Sequence, residues 1–281
     1  ADELGVDVHR AAQEIVDIVN ENMLGALRVV TVQKGLDPKD FALVSFGGAG
    51  GLHANAMAAT LGCYPVIVPP EPGVLSALGF IAADVRNEFG QTSIRTTEKA
   101  DPAEVRDALL RLAKQGDEWL AAEGVEAPER EISYVLDMRY YRQGYELPID
   151  VEAAELDALD LNVIADRFRA LHDRLYGFSL PGSVELVNIR ARAVGRVRKP
   201  DLPDHEGAGT DASKAQVGTQ EIWTDGVARD VPLYERSLLE PGMRFDGPAV
   251  VTQYDATTLV LADHVATVDR WLNLLIEPAG S

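Results

Sequence analysis

Residues 41–62, Phe-Ala-Leu-Val-Ser-Phe-Gly-Gly-Ala-Gly-Gly-Leu-His-Ala-Asn-Ala-Met-Ala-Ala-Thr-Leu-Gly, decide how the rest of the chain is read. The mostly apolar run 41–46 predicts a strand, the glycine-rich run 47–51 a turn, and the small residues 52–61 a helix. A short apolar run before a glycine turn is the pattern of a buried strand in a parallel sheet. The helix start then offers unpaired N–H groups and the positive end of a dipole. Gly47, Gly48, Ala49, Gly50 and Gly51 with His53 are therefore candidates to seat a phosphate or another part of a nucleotide. Turns of this kind also occur where nothing binds, and packing alone then explains the glycines. The stretch is not the dinucleotide fingerprint, because His53 stands where the third glycine would be, and no Gly-Lys-Ser/Thr follows to make a P-loop. Ser45 lacks the flanking glycines of a nucleophile elbow.

Upstream, residues 7–33 predict one long helix, with Val8, Ala11, Ile15, Ile18, Val19, Ala26 and Val30 near helical spacing and Gly35 as its stop. Downstream come a β-rich run at 65–68 and a small-residue helix at 74–83. Strand, helix, strand, helix is the signature of an α/β sheet. A polar shift near Gln91 is read as a boundary. Beyond it the pattern predicts an amphipathic helix at 102–124, a hairpin from Ile132–Tyr140 to Tyr145–Val151, a second amphipathic helix at 161–176, and a strand at 184–198. Residues 199–220, rich in Pro, Gly, Asp and Ser, read as a linker or long loop. Short strands separated by turns at Asp225-Gly226, Pro241-Gly242 and Asp246-Gly247-Pro248 read as a small all-β module. The expected division is 1–90 α/β, 91–200 α+β, 201–220 linker and 221–281 all-β.

Composition narrows function mainly by exclusion. The chain has 281 residues and a net charge of −19, with 46% hydrophobic and 25% charged residues. That charge argues against nucleic acid and against anionic membranes as partners. No apolar run reaches membrane-spanning length. With one cysteine, Cys63, no internal disulfide is possible, and the default setting is cytoplasmic. The chain opens on Ala1 and enters a helical pattern almost at once, so Ala1 is read as other than the natural start.

The five histidines, His9, His53, His172, His205 and His264, show no i, i+4 pair and no cysteine cluster, so no metal site is expected. At the first turn of the helix, a neutral His53 could donate a hydrogen bond to a ligand, or it could pack against a neighbouring lobe. Asp137, Arg139, Tyr140, Gln143 and Glu146 could do acid–base work or form a satisfied polar network, the commoner case. Arg190, Arg192, Arg196 and Arg198 alternate on one strand face that could grip an anion or simply be solvated. No catalytic residue can be named from spacing.

Several separate motifs resemble the hydantoinase A/5-oxoprolinase family, which includes N-methylhydantoinases and subunits of the acetone and acetophenone carboxylases. Phe46-Gly-Gly-Ala-Gly-Gly-Leu-His-Ala54 is similar to that family's FGGAGPLHA motif, with Gly51 in place of proline. Further matches are Val68-Pro-Pro-Glu-Pro-Gly-Val-Leu-Ser-Ala-Leu-Gly79, Ala83-Asp-Val-Arg86 and Asp137-Met-Arg-Tyr-Tyr-Arg-Gln-Gly-Tyr-Glu-Leu147, where Arg142 replaces a usual glycine. His172-Asp-Arg-Leu-Tyr-Gly177, Glu185-Leu-Val-Asn-Ile-Arg190, Gly247-Pro-Ala-Val250 and Tyr254-Asp-Ala-Thr-Thr258 complete the resemblance.

The resemblance implies a mixed α/β and α+β chain: the last piece of a sugar-kinase/Hsp70/actin-like ATPase lobe, an α+β domain, and a small all-β module. It implies ATP and Mg²⁺ as cofactors, with the Gly47–Gly51 turn on the adenosine side and the D-x-G-G-T phosphate motifs outside this chain. In the family, ATP activates the carbonyl of a cyclic amide or ketone, and a B-type subunit completes hydrolysis or carboxylation. The implied partners are an N-terminal ATPase lobe, a hydantoinase B-type subunit and a lactam or ketone substrate, in an oligomer. The alternatives are a structural and subunit-docking segment without activity of its own, or part of a ketone carboxylase.

Overall fold

The computed structural model describes residues 1, 5–207, 209–224 and 226–280, so Asp225 of the expected Asp225-Gly226 turn lies outside the described residues. The chain folds as two compact units, one made of Ala1–Ile81 with Pro200–Ser281, the other of Ala82–Lys199.

In the first unit, α1 (Val8–Val30) starts at Asp7, whose carboxylate accepts the His9 and Arg10 N–H groups. β1 (Leu43–Val44), α2 (Gly50–Leu61), β2 (Val66–Val68) and α3 (Leu75–Ala82) follow. β1 and β2 are parallel, Leu43 opposite Val66, as the α/β pattern predicts. β1 is shorter than the expected 41–46 strand, and it is an edge strand rather than a buried one, with Phe41, Val44 and Phe46 exposed. α2 begins earlier than expected, taking Gly50 and Gly51 into its first turn.

The second unit holds β3 (Val85–Thr96), α4 (Pro102–Ala122), β4 (Arg130–Tyr140), β5 (Leu147–Val151), α5 (Leu161–Tyr176) and β6 (Val184–Gly195). They form an antiparallel sheet in the order β3-β6-β4-β5. Leu109 and Leu112 of α4 and Ile164 and Phe168 of α5 share one core with Leu136, Met138, Leu186 and Ile189 of the sheet. The boundary expected at 90/91 falls inside β3, and the compact units divide after Ile81. The polar stretch around Gln91 is the wet side of an edge strand, which alternates in burial and pairs with β6 from Val85 to Thr96. Both amphipathic helices form where the periodicity places them, α5 bounded by Asp160 as N-cap and Gly177 in the left-handed region.

One surface pair in this unit gives a pH prediction. Glu155 accepts hydrogen bonds from Arg167 and from the Glu152 N–H. The Arg167 bond, then the Glu152 bond, hold the Glu155 carboxyl down to about 2. A depressed carboxylate contributes stability that is present above its unfolded pKa, roughly 4.3, and lost as pH falls through the folded value. Carboxyl NMR should therefore find Glu155 ionised at pH 3. In Arg167→Gln its titration should rise toward the ordinary range but stay below it, because the Glu152 N–H still donates to it.

The chain then returns to the first unit with β7 (Gln216–Thr224), β8 (Val227–Glu235), β9 (Arg244–Asp246), β10 (Ala249–Thr252), β11 (Thr257–Val260), β12 (His264–Val268) and β13 (Leu274–Pro278). One sheet runs β1-β2-β13-β12-β9, the other β11-β10-β8-β7. This also corrects the expected separate 221–281 module. β13 pairs with β2, so the short strands β1 and β2 complete their sheet with the C-terminal strands. Ala54, Ala58, Val66 and Val68 lie in the same core as Tyr234, Phe245, Val251, Val260 and Ile276. The expected 201–220 linker is only partly a linker, because Ala212 and Ala215 are buried and β7 starts at Gln216.

Candidate functional site

The carboxyl ends of β1, β2 and β10 lead into three loops that meet at Asp255. Loops at the carboxyl ends of parallel strands are where open α/β sheets bind ligands. One Asp255 carboxylate oxygen accepts the Gly73 N–H at 2.8 Å, and the other accepts Gln253 Nε2 at 2.7 Å. Gln253 Nε2 also donates to Pro70 O at 2.8 Å. The Gly47 N–H donates to Pro72 O at 2.7 Å, and the Thr257 N–H reaches Gly48 O at 3.4 Å. Stretches 46–54, 68–79 and 254–258, read as separate motifs in the sequence, thus form one cluster. Asp255 ties them, a role its position in Tyr254-Asp-Ala-Thr-Thr258 marked only as part of a motif.

The glycines of the turn do different things. Gly47 has φ +83°, and a Cβ there would meet nothing within 4 Å, so this residue is glycine for its backbone conformation. At Gly48 a Cβ would lie 3.2 Å from Asp255 O, and at Gly50 3.0 Å from Ser45 Oγ. At Gly51 it would lie 2.5 Å from Thr258 Oγ1 and 2.7 Å from Thr257 O. The close approach at these three positions is made by the protein's own chain. Ala49 precedes α2 without a side-chain cap, so the first-turn N–H groups meet no capping side chain.

His53 is engaged by α1. Its Nδ1 is 2.8 Å from Asn20 Oδ1 on α1, so a neutral ring with Nδ1–H donating there presents Nε2 as an acceptor. Asn20 gave no signal in the sequence, because the contact joins two helices far apart in the chain.

Beside Asp255 opens a cavity of about 580 Å³, walled by Pro70, Val74, Leu239 and Leu272. Glu71, Glu235 and Arg236 line it too, and Tyr254 stands fully exposed at its edge. Sequence reading named none of these as site residues; the signal for Arg236, a charged residue at a buried position, exists only in three dimensions.

The other candidates resolve into structure. Asp137 is buried and accepts from Arg190 Nη2 and Asn188 Nδ2, while Arg190 also holds Glu88 and Arg139 pairs with Glu185. The hydrogen bond from Arg190, then that from Arg192, keep Glu88 below its ordinary range against the opposing effect of burial. Gln143 reaches His172 Nε2 at 3.3 Å, and His172 Nδ1 donates to Phe178 O at 2.9 Å, inside a cage that includes Tyr140 and Phe168. These groups form a polar network rather than an acid–base pair, although Arg190 Nε within it is buried and meets no acceptor. Arg190, Arg192 and Arg196 are engaged by Glu88, Asp137 and Glu131 and do not form an open anion grip. Cys63 is buried, and burial pushes its thiol up. Among the described residues no three His, Cys, Asp or Glu side chains converge to hold a metal, and no helix is long and apolar enough to cross a membrane.

Fold and site together define a mixed α/β protein with several sheets and a glycine-led helix over the ends of a parallel strand pair. The chain belongs to the hydantoinase/oxoprolinase family: residues 1–89 match the hydantoinase/oxoprolinase model and residues 93–275 its C-terminal domain. An uncharacterized protein from Methanocaldococcus jannaschii is 34% identical over 99% of this chain and 39% of its own length. Caprolactamase subunit alpha from Pseudomonas jessenii is 30% identical over 93% of this chain and 38% of its own. The crystal structure of that organism's ATP-dependent caprolactamase matches with TM-score 0.79 and 27% identity, over 100% of this chain and 41% of that one. Nucleotide-free acetone carboxylase matches with TM-score 0.73 and 25% identity, over 99% of this chain and 41% of that one. The chain thus spans about two fifths of the length of these relatives.

Proposed function

We propose that this chain is the C-terminal part of an ATP-dependent subunit that activates a cyclic amide carbonyl for ring-opening hydrolysis. The observation that carries this reading is the meeting of three loops at Asp255, at the carboxyl ends of β1 and β2 and next to the uncapped start of α2. In this reading residues 1–90 close a sugar-kinase/Hsp70/actin-like lobe, and the backbone of Gly47, Gly48, Ala49, Gly50 and Gly51 forms the nucleotide side of its cleft. The open surface at Gly47 admits a ligand, the packed glycines fix the turn, and His53 Nε2 adds an acceptor. ATP would supply the phosphoryl group that turns the amide oxygen into a leaving group. Among the described residues no cluster of three carboxylate, histidine or cysteine side chains is placed to hold Mg²⁺, so these residues do not fit that ion. An N-terminal ATPase lobe and a B-type subunit, which would complete hydrolysis, are the partners of this reading.

A second reading is a docking segment without activity of its own. It is favoured by exposed apolar faces on α1, where Ile18 is 62% exposed, and on α3, where Phe80 is 85% exposed. The likeness to acetone carboxylase keeps ketone carboxylation as the alternative chemistry.

The test is ATP turnover in the presence of hydantoin, 5-oxoproline or caprolactam. In the complete enzyme, Gly48→Val should raise the apparent KM for ATP about tenfold, equivalent to ~1.4 kcal/mol. An unchanged KM in a folded variant removes the glycine loop from the cleft. The 281-residue chain alone should turn over no ATP, because phosphoryl transfer needs donors and a metal that this chain does not supply. Mg²⁺-dependent turnover by the chain alone, lost in Gly48→Val, overturns the assignment of the phosphate site to another segment.

A further inference from the structure

The wall of the cavity beside Asp255 includes a buried cation. Arg236 is 7% exposed and follows β8. Its Nη2 donates to Leu272 O and, at 3.5 Å, to Val68 O, while its Nε is buried and meets no acceptor. Among the described residues no carboxylate forms an ion pair with it. Burial lowers its pKa to about 10, opposed by the charges of Glu71 and Asp269, so it is a cation at neutral pH. A buried charge with an unused donor costs free energy that an incoming anion offsets.

The other groups on the cavity wall limit what that anion can be. Asp255 is spoken for on both oxygens, by Gly73 N–H and Gln253 Nε2. Glu71 is exposed, and among the described residues Glu235 accepts a long 3.2 Å bond from Ser237 alone. A ligand carrying negative charge alone would meet these carboxylates as well as Arg236. Val74, Leu239 and Leu272 give the same cavity apolar lining. A volume of about 580 Å³ falls within the roughly 300–1,000 Å³ of small-molecule sites.

We propose that this cavity binds a small amino acid with an apolar chain, Arg236 taking the carboxylate and Glu71 with Glu235 the ammonium group. The assignment rests on the cavity alone and not on the nucleotide reading. Ring opening of a cyclic amide yields a molecule of this class, which places the site on the product side of the proposed reaction.

The experiment is calorimetric titration of the 281-residue chain with 6-aminohexanoate, hexanoate, hexylamine and inorganic phosphate, without nucleotide. The expected result is saturable binding of 6-aminohexanoate near 1 mM, with each of the other probes at least about fivefold weaker. Arg236→Met should weaken it about tenfold or more. Because Arg236 also pins Leu272 and Val68, that variant can lose its fold. Val74→Trp then carries the test, since Val74 is 55% exposed and a ring there fills the cavity from its open side. Binding unchanged in folded Val74→Trp, no saturable binding, or binding of hexanoate, hexylamine or phosphate as tight as that of 6-aminohexanoate overturns the proposal. None of these outcomes bears on ATP turnover, so the two readings fail separately.

Discussion

Gly51→Val destabilises the first unit by about 3 kcal/mol or more, at the upper end of what overpacking costs. A Cβ at Gly51 would lie 2.7 Å from Thr257 O and 3.0 Å from Thr258 Cα, both backbone atoms of β11, besides 2.5 Å from Thr258 Oγ1. Backbone in a paired strand does not step aside as the end of a long side chain would, so α2 must lift. Lifting it uncovers Ala54 and Ala58, which lie in the unit's core. For a chain of this size the unfolding midpoint should fall by roughly 6–12 °C. Gly79→Ala is the control, since a Cβ there meets nothing within 4 Å and its position in α3 favours alanine. Equal midpoints for Gly51→Val and wild type would mean that α2 does not rest on β11.

Phe168→Ala acts on the other unit, at a cost of about 3–5 kcal/mol. Phe168 is fully buried on α5 and meets Tyr140 edge-on at 5.0 Å and His172 at 5.8 Å. Its removal leaves a void among aromatic rings and strands that pair along their length, where little can collapse inward. Hydrogen exchange should show α5, β4 and β6 losing protection while β2, β12 and β13 keep theirs. Loss of protection spread evenly over both sets of strands would contradict the division at Ala82–Lys199.

Local grammar and the pairing of neighbouring strands, β1 with β2 and β4 with β5, were legible in the chain; pairing between distant segments was not. α5 spans the predicted 161–176 and stops at Gly177, because a left-handed glycine acts within one turn of itself; the Asp160 cap was not read in advance. The glycine turn before α2 was legible for the same reason. The polar run at Gln91 misled because an edge strand with one wet face has the composition of a loop, and only β6 reveals it as a strand. β9 escaped notice since a strand as short as Arg244–Asp246 carries almost no periodicity and exists through its pairing with β12. At the site, the three motifs were each visible, but their meeting at Asp255 depends on contacts between distant segments. Arg236 had no sequence signal at all, for a buried arginine reads like any surface arginine until its surroundings are known.

The return of the chain to its first sheet sets an order of assembly. β2 must wait for β13, which is made about two hundred residues later, Val68 finally pairing with Leu274. At ribosomal speeds of about 5–20 residues per second that delay lasts roughly 10–40 s. During it the intervening unit, complete at Lys199, is free to fold, while Val66-Ile67-Val68 presents an apolar strand with an open edge. A nascent chain stalled within residues 200–260 would therefore carry a finished middle and an adhesive beginning. It is this intermediate, rather than the native protein, that a chaperone in the producing cell would have to shield.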